Sequence, residues 1–207
     1  MDVNQELRTR REGRRDLPLL VWRFSKPARV VASAPHGGGI GVRRWVLNAE
    51  VPASYGRRDP DHHLGRLAVS MGLPGRGVGM LTAAEVRAYT TASDAGVDAV
   101  ATVGLSHPIL AAAPDGAADR VGTINIVVLV PARLSDAALV NAVATATEAK
   151  TQALRDAGLD ATGTATDALC VACPDTGAPA AFGGPRSVWG ARIARAVHGA
   201  VLAGASA

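Results

Sequence analysis

The sequence predicts an α/β or α+β fold in a single domain, with one mixed β-sheet covered by helices. The strongest indication is a strand-helix-strand pattern over residues 122–174. A second is the series of short β-branched and apolar runs on its N-terminal side, bounded by glycine and proline. The chain also has 207 residues, of which 48% are hydrophobic, so one domain can bury a full core without disulfides.

The strand-helix-strand unit begins with a β-branched run at residues 123–130. Ser135 is a good helix N-cap with Asp136 in the first turn, and Gly158 can close the helix in a left-handed conformation. Residues 164–173 form a second extended run. If both runs lie in one sheet, the helix between them is the crossover that joins two parallel strands.

The elements before this unit are strands separated by turns, with one helix. Residues 6–10 are either an edge strand or a loose tail, so we divide the chain into a basic N-terminal extension or edge strand at 1–16 and a domain at 17–207. Asp59 and Pro60 begin a helix as N-cap and first residue. The predicted strands are residues 17–24, 29–34, 45–51, 78–82 and 97–105, with a turn at 25–28.

Two further segments complete the organisation of the chain. Residues 111–120 are rich in alanine, proline, aspartate and glycine, and we interpret them as a surface excursion or mobile lid. Residues 188–202 form a final helix with Ser187 as its N-cap.

The formal net charge of +4 is confined to the N-terminal part of the chain. Residues 1–29 carry eight Arg or Lys and four Asp or Glu, whereas the remainder carries fourteen of each. This basic segment lacks interleaved aromatic residues and any recognised module, so we do not expect a nucleic-acid partner. No run approaches the roughly 18 apolar residues of a membrane span, and no secretory signal is visible, so we expect a cytoplasmic protein.

Both cysteines belong to one CxxC motif, Cys170 to Cys173. Such a motif can bind a metal or act in redox chemistry when it lies on a turn or at a helix start. Here it lies inside a predicted strand, where residues three apart point to opposite faces. We therefore interpret the pair as core filling.

Lys150 is the main anomaly of the central helix, because it lies on the helix's apolar face. It either extends past the small alanines to water or pairs with a carboxylate, for which Asp167 on the following strand is the nearest candidate. Glu148 lies about 200° away on a polar stripe. The apolar face consists of Leu139, Val143, Ala146, Ala153, Leu154 and Ala157.

Other polar or flexible positions are less informative. Gly37, Gly38 and Gly39 leave backbone N–H groups open to a ligand, but they lack nucleotide-loop spacing and a flexible loop is the commoner explanation. Asn48 is disfavoured inside a strand, so it either finds a partner or marks a strand end. We interpret His63, at the margin of an apolar helix face, as structural, with contact to a site as the alternative.

Six sequence blocks occur in order along the chain: WVLN (45–48), GMLTAA (79–84), TVGL (102–105), GTINI (122–126), TEAKTQAL (147–154) and TGTATDA (162–168). Together, and over residues 30–202, the chain resembles the adenosylcobinamide amidohydrolase family. The resemblance implies a corrinoid-salvage hydrolase of cobalamin biosynthesis. Its reaction converts adenosylcobinamide to adenosylcobyric acid and 1-amino-2-propanol. No cofactor is expected, because cobalt enters only within the corrinoid substrate, and no metal site is expected in the protein.

Amide hydrolysis needs a base, donors for the oxyanion and a proton for the leaving amine. We expect Asp167 to be the general base or to orient it, Lys150 to hold the oxyanion or protonate the amine, and Asn125 to donate to the carbonyl. Glu148 is a further catalytic candidate. The alternatives are a purely structural Lys150–Asp167 pair and a threonine nucleophile among Thr123, Thr164 and Thr166.

A corrinoid carries amide side chains around a flat ring, so its pocket should supply hydrogen bonds and apolar area. The alternative function is a corrinoid-binding module without catalysis, and the sequence is also compatible with a homo-oligomer. The candidate substrate-binding residues are Gly37, Gly38, Gly39, Asn48, Thr82, Thr123, Thr164, Thr166, Arg186 and Trp189.

Overall fold

The computed structural model describes residues 1–114 and 122–206, and within them contains eight strands and three α-helices. The α+β class and the mixed sheet covered by helices are as predicted. The strands are β1 Val3–Glu12, β2 Arg15–Ala32, β3 Gly39–Glu50, β4 Val78–Thr82, β5 Thr90–Asp94, β6 Val97–Gly104, β7 Thr123–Leu129 and β8 Ala168–Pro174; the helices are α1 Pro60–Ser70, α2 Asp136–Asp156 and α3 Val188–Ala205.

The strands form one open sheet in the order β4-β3-β2-β8-β7-β6-β5, and β1 pairs with β2 beside this path. The predicted strand-helix-strand unit is confirmed, because β7 and β8 are parallel neighbours joined through α2. The Ser135 hydroxyl accepts a hydrogen bond from Ala138 N at 3.1 Å, and Gly158 has a φ of +83° just after the helix.

The predicted turn at residues 25–28 is wrong, because β2 runs through it as one long strand. β1 pairs with β2 up to Phe24, and β8 pairs with the same side of β2 from Ala28 onward. The register against β3 shifts between Arg23 and Ala28. Pro27 therefore lies in an unpaired bulge where β2 changes partners, and its missing N–H interrupts no ladder. The segment before residue 17 is a strand, not a loose tail.

Two other strand predictions need correction. Residues 90–94 form β5, which the polar sequence did not predict; it is a partly exposed edge strand joined to β6 by a tight turn at Ala95 and Gly96, both with positive φ. Residues 164–167 form a turn rather than the start of β8. Thr164 binds the Asp167 carboxylate there through both its hydroxyl and its N–H, which replaces pairing in a ladder.

The core has three parts, one on the helical face of the sheet and two around β2 and β3. On the helical face, residues such as Ile126 and Val171 pack against α2 and α3. On the other face, Trp22 and Met80 pack in one cluster with Val127 and Cys170. Because these residues come from distant positions in the strand order, the sheet curves strongly and its two halves face each other. The third part packs β2 and β3 residues, including Trp45, Leu19 and Leu47, against α1.

Cys170 and Cys173 belong to core clusters on opposite faces of the sheet, which confirms that they do not form a paired site. Burial raises the pKa of Cys170 to about 12, so this thiol is protonated and unreactive at neutral pH. None of the described helices is long and apolar enough to span a bilayer. Residues 115–120 of the predicted surface excursion lie outside the part of the chain that the structure describes.

Candidate functional site

A cavity of about 420 Å³ opens where the C-terminal ends of β3 and β4 meet the N-terminal ends of β7 and β8. The loop that joins β3 to α1 supplies an apolar wall that includes Val51 and Pro52. The opposite wall is polar and contains Thr123, Thr166 and Asp167. The cavity therefore combines apolar area with a carboxylate and hydroxyl groups, which is typical of a small-molecule site.

The Asp167 carboxylate is held by four hydrogen bonds. Its Oδ1 accepts from Ile124 N at 2.9 Å and from the Thr164 hydroxyl at 2.5 Å. Its Oδ2 accepts from Thr164 N at 3.1 Å and from Lys150 Nζ. Four donors match the lone-pair capacity of a carboxylate, so the position and orientation of this group are fixed at the cavity wall.

Lys150 forms an ion pair with Asp167, which confirms the predicted pairing and excludes an extended conformation toward water. The side chains of Lys150 and Asp167 are only 11% and 16% exposed. Gly163 makes the contact feasible, because a Cβ at this position would collide with both the Lys150 ammonium and the Asp167 carboxylate. The ammonium lies behind Asp167 rather than among the residues that line the cavity.

Three of the predicted threonines line the cavity. The Thr166 hydroxyl lies 2.8 Å from the Thr123 hydroxyl and donates to the Gly122 carbonyl at 2.9 Å. The Thr82 hydroxyl accepts from Ala84 N at 3.0 Å and shapes the end of β4. Thr164 instead contacts Asp167 from behind.

Asn48 and Asn125 belong to a neutral network inside the curved sheet. Asn125 Nδ2 donates to Asn48 Oδ1 and to the Leu81 carbonyl, both at 2.8 Å, and Asn48 Nδ2 donates to the Thr102 hydroxyl at 3.0 Å. Asn125 is 1% exposed and does not line the cavity. Both of its N–H bonds are thus committed to the fold, which argues against the expected donation to a substrate carbonyl.

The structure does not bring the other predicted residues to this cavity. Gly37 and Gly38 accept hydrogen bonds at 2.9–3.3 Å through their carbonyls from the buried Arg43, which fixes the glycine loop. Gly39 begins β3. The Arg186 side chain is exposed, Trp189 packs against the core on the helical face, and neither residue lines the cavity. Glu148 lies on the exposed face of α2, so the expected catalytic role has no support from its position.

A second polar chain reaches the cavity and was not predicted. Tyr55, in the loop before α1, lines the cavity, and its hydroxyl lies 2.9 Å from His63 Nδ1. His63 Nε2 lies 3.0 Å from Glu12 Oε1. His63 therefore contacts the site through Tyr55, which was the alternative to a purely structural role. No sequence signal connects these residues, because Glu12 is 51 positions from His63.

The environment sets the protonation of this chain. Burial is the largest effect on Tyr55 and raises the pKa of its hydroxyl, which therefore keeps its proton at neutral pH. Burial also tends to raise the pKa of Glu12, but hydrogen bonds from Arg10 and His63 outweigh it, and the pKa of Glu12 is lowered. In residues 1–114 and 122–206 no group of three or more His, Cys, Asp or Glu is arranged to hold a metal ion.

Comparison with known proteins identifies the relationship. The family model described as adenosylcobinamide amidohydrolase matches residues 2–207. A protein of Methanosarcina mazei named adenosylcobinamide amidohydrolase is 32% identical over 183 residues, covering 84% of this chain and 88% of its own. A protein of Halobacterium salinarum with the same name is 42% identical over 115 residues, covering 52% of this chain and 49% of its own. The chain therefore belongs to the adenosylcobinamide amidohydrolase family.

Proposed function

We propose that this protein hydrolyses the amide bond of adenosylcobinamide, releasing adenosylcobyric acid and 1-amino-2-propanol. Family membership and the shared name of the two relatives support this substrate. The observation that carries the proposal is Asp167, a carboxylate in one of the family-like blocks that is fixed at a cavity wall by Lys150 and Thr164. A fixed carboxylate beside a partly apolar cavity is suited to activating water against a bound amide.

The cavity is suited to the reacting arm of the substrate. At about 420 Å³ it is smaller than a whole corrinoid but large enough for the aminopropanol arm and its amide. We therefore place the scissile amide beside Asp167 and the corrin ring across the cavity mouth. The apolar wall at Val51 and Pro52 then contacts the arm.

We assign Asp167 as the general base. One of the four donors on Asp167 gives way when the substrate binds, and a water that approaches from the cavity gives up a proton to the carboxylate as its oxygen adds to the amide carbonyl. Lys150 has three N–H donors, one of which it gives to Asp167. Because the ammonium lies behind Asp167 and not at the cavity, we assign Lys150 to holding this carboxylate in place, and its positive charge offsets part of the negative charge that develops on the substrate.

The same mechanism uses no metal held by the protein, and we propose that cobalt takes part only as a constituent of the substrate. Activity should therefore survive treatment of the purified enzyme with a chelator, measured with the adenosylcobinamide assay below. Loss of activity on chelation, restored by a divalent ion, would contradict this assignment.

The decisive experiment incubates the purified protein with adenosylcobinamide and measures adenosylcobyric acid and 1-amino-2-propanol by chromatography and mass spectrometry. We expect both products, and a loss of at least about 100-fold in kcat for Asp167→Asn. Asp160→Asn is the matched control, because Asp160 is exposed. Binding of the corrinoid without turnover by the wild type would support the non-catalytic module instead.

A further inference from the structure

Tyr55, His63 and Glu12 form a continuous chain of hydrogen bonds that runs from the cavity through the buried His63 to the partly exposed Glu12. They come from the loop before α1, from α1 and from β1, and the two contacts that join them measure 2.9 and 3.0 Å. The Tyr55 and His63 rings stack with centroids 5.6 Å apart and planes inclined by 18°. His63 is 5% exposed and is not among the residues that line the cavity, whereas Tyr55 is.

Glu12 is fixed at the far end of the chain, where its side chain is 35% exposed. Arg10 Nε donates to the same Glu12 Oε1 that contacts His63, at 2.8 Å. Arg10 is itself buried, and its Nη2 donates to the Glu50 carbonyl at 2.6 Å. The lowered pKa of Glu12 keeps this carboxylate ionised at neutral pH. A carboxylate that accepts a hydrogen bond from Nε2–H orients the imidazole and directs its Nδ1 toward Tyr55.

The mechanism with Asp167 leaves one requirement open, because an amine departs poorly as an anion and needs a proton. We propose that Tyr55 donates this proton to the leaving nitrogen and that His63, oriented by Glu12, restores it to Tyr55. This inference rests on the proposed hydrolysis of adenosylcobinamide. It makes Tyr55 a catalytic residue, and His63 and Glu12 positioning residues that act through it.

The C–N bond of the tetrahedral intermediate breaks, and its electron pair forms a new N–H bond with the Tyr55 hydroxyl proton. At the same time imidazolium Nδ1–H of His63 transfers its proton to the Tyr55 oxygen. His63 is left neutral, with Nε2–H bound to Glu12, and Asp167 carries the proton taken from water. Asp167 then releases one proton to solvent and His63 takes one up, which restores the starting state.

The test compares two substrates that differ in their need for a proton. One is adenosylcobinamide; the other is a p-nitrophenyl ester of adenosylcobyric acid, whose leaving group departs as a stable anion. Tyr55→Phe removes one oxygen atom and keeps the stacked ring. We expect its kcat on the amide to fall by about 100-fold or more, its substrate Kd to be unchanged, and its rate on the ester to stay within about threefold of wild type.

His63→Gln and Glu12→Gln should also slow hydrolysis of the amide more than that of the ester. The fall in kcat on the amide should be smaller, about tenfold, because Tyr55 remains in place. Near-UV circular dichroism and the thermal midpoint check that each variant is folded, and Asp167→Asn should lose activity on both substrates. The proposal is overturned if the kcat of Tyr55→Phe on the amide falls by less than about threefold, or if its rate on the ester falls as much as its rate on the amide. It is also overturned if the substitution changes only the substrate Kd. A wild type that does not cleave adenosylcobinamide would instead contradict the proposed function.

Discussion

Two clusters of buried polar residues contact β7, and they differ in charge and in access to solvent. The charged cluster consists of Asp167, Lys150 and Thr164, and it contacts β7 through Ile124 N. The neutral network consists of Asn125, Asn48 and Thr102, inside the curved sheet. The charged cluster reaches the cavity through Asp167, whereas none of the three residues of the neutral network lines it.

The difference follows from the free energy of burial. Neutral amides can be buried at small net cost when their N–H groups are paired, and such pairs hold distant strands in register. An ion pair gains less from burial, because desolvation offsets the attraction between the charges. A charged pair at the wall of a cavity is therefore better explained by chemistry than by stability, and the two networks should respond differently to substitution.

The largest expected effect is that of Lys150→Met. The variant leaves the Asp167 carboxylate without its counter-ion and without one of the donors that fix its position, so we expect kcat to fall by about 100-fold or more. We also expect the free energy of unfolding to fall by about 3 kcal/mol, because an unpaired charge remains largely buried. Turnover and urea denaturation measure the two effects. Near-normal turnover in a destabilised protein would make the ion pair purely structural.

Asn125→Ala should show the opposite profile. It leaves Asn48 Oδ1 and the Leu81 carbonyl without their donor, so we expect a loss of about 2 kcal/mol in stability and a lower Tm, by about 4–8 °C. The kcat should stay within about fivefold of wild type. Asn141→Ala, on the exposed face of α2, is the control. A 100-fold fall in kcat without a change in Tm would restore Asn125 as a donor to the substrate.

Thr123→Val and Thr166→Val test the threonine-nucleophile alternative at the cavity wall. Each variant keeps the side-chain shape and removes one hydroxyl of the Thr123–Thr166 contact. We expect kcat/KM to fall by no more than about tenfold, since these hydroxyls bind substrate in our assignment. Trapping of a covalent acyl-enzyme by mass spectrometry, lost in one of the two variants, would make that threonine the nucleophile.

The smallest effect is expected for Glu148→Gln. The side chain is exposed on the outer face of α2 and belongs to neither network. Stability should change by no more than about 0.5 kcal/mol, and kcat should be unchanged. A large fall in kcat measured in the same assay would mean that the outer face of α2 contributes to the site.

The sequence alone determined the features that depend on near neighbours along the chain. Ser135, Ser187 and Gly158 marked helix ends, and the two-residue period of a strand placed Cys170 and Cys173 on opposite faces. The pairing of Lys150 with Asp167 was predictable for the same reason, because a crossover helix and the strand after it are adjacent.

Only the tertiary structure decided the features that depend on contacts between distant segments. The strand β2 continues through Pro27 because β1 ends and β8 begins on the same side of β2 at this point. The turn-like sequence at residues 25–28 cannot reveal these two distant partners. Curvature of the sheet commits Asn48 and Asn125 to each other and keeps them out of the cavity. The chain from Tyr55 to Glu12 exists because β1 lies beside α1 in space. The hydrophobic periodicity of a sequence indicates which face of a helix or strand a residue occupies. It does not indicate which distant residue packs against that face.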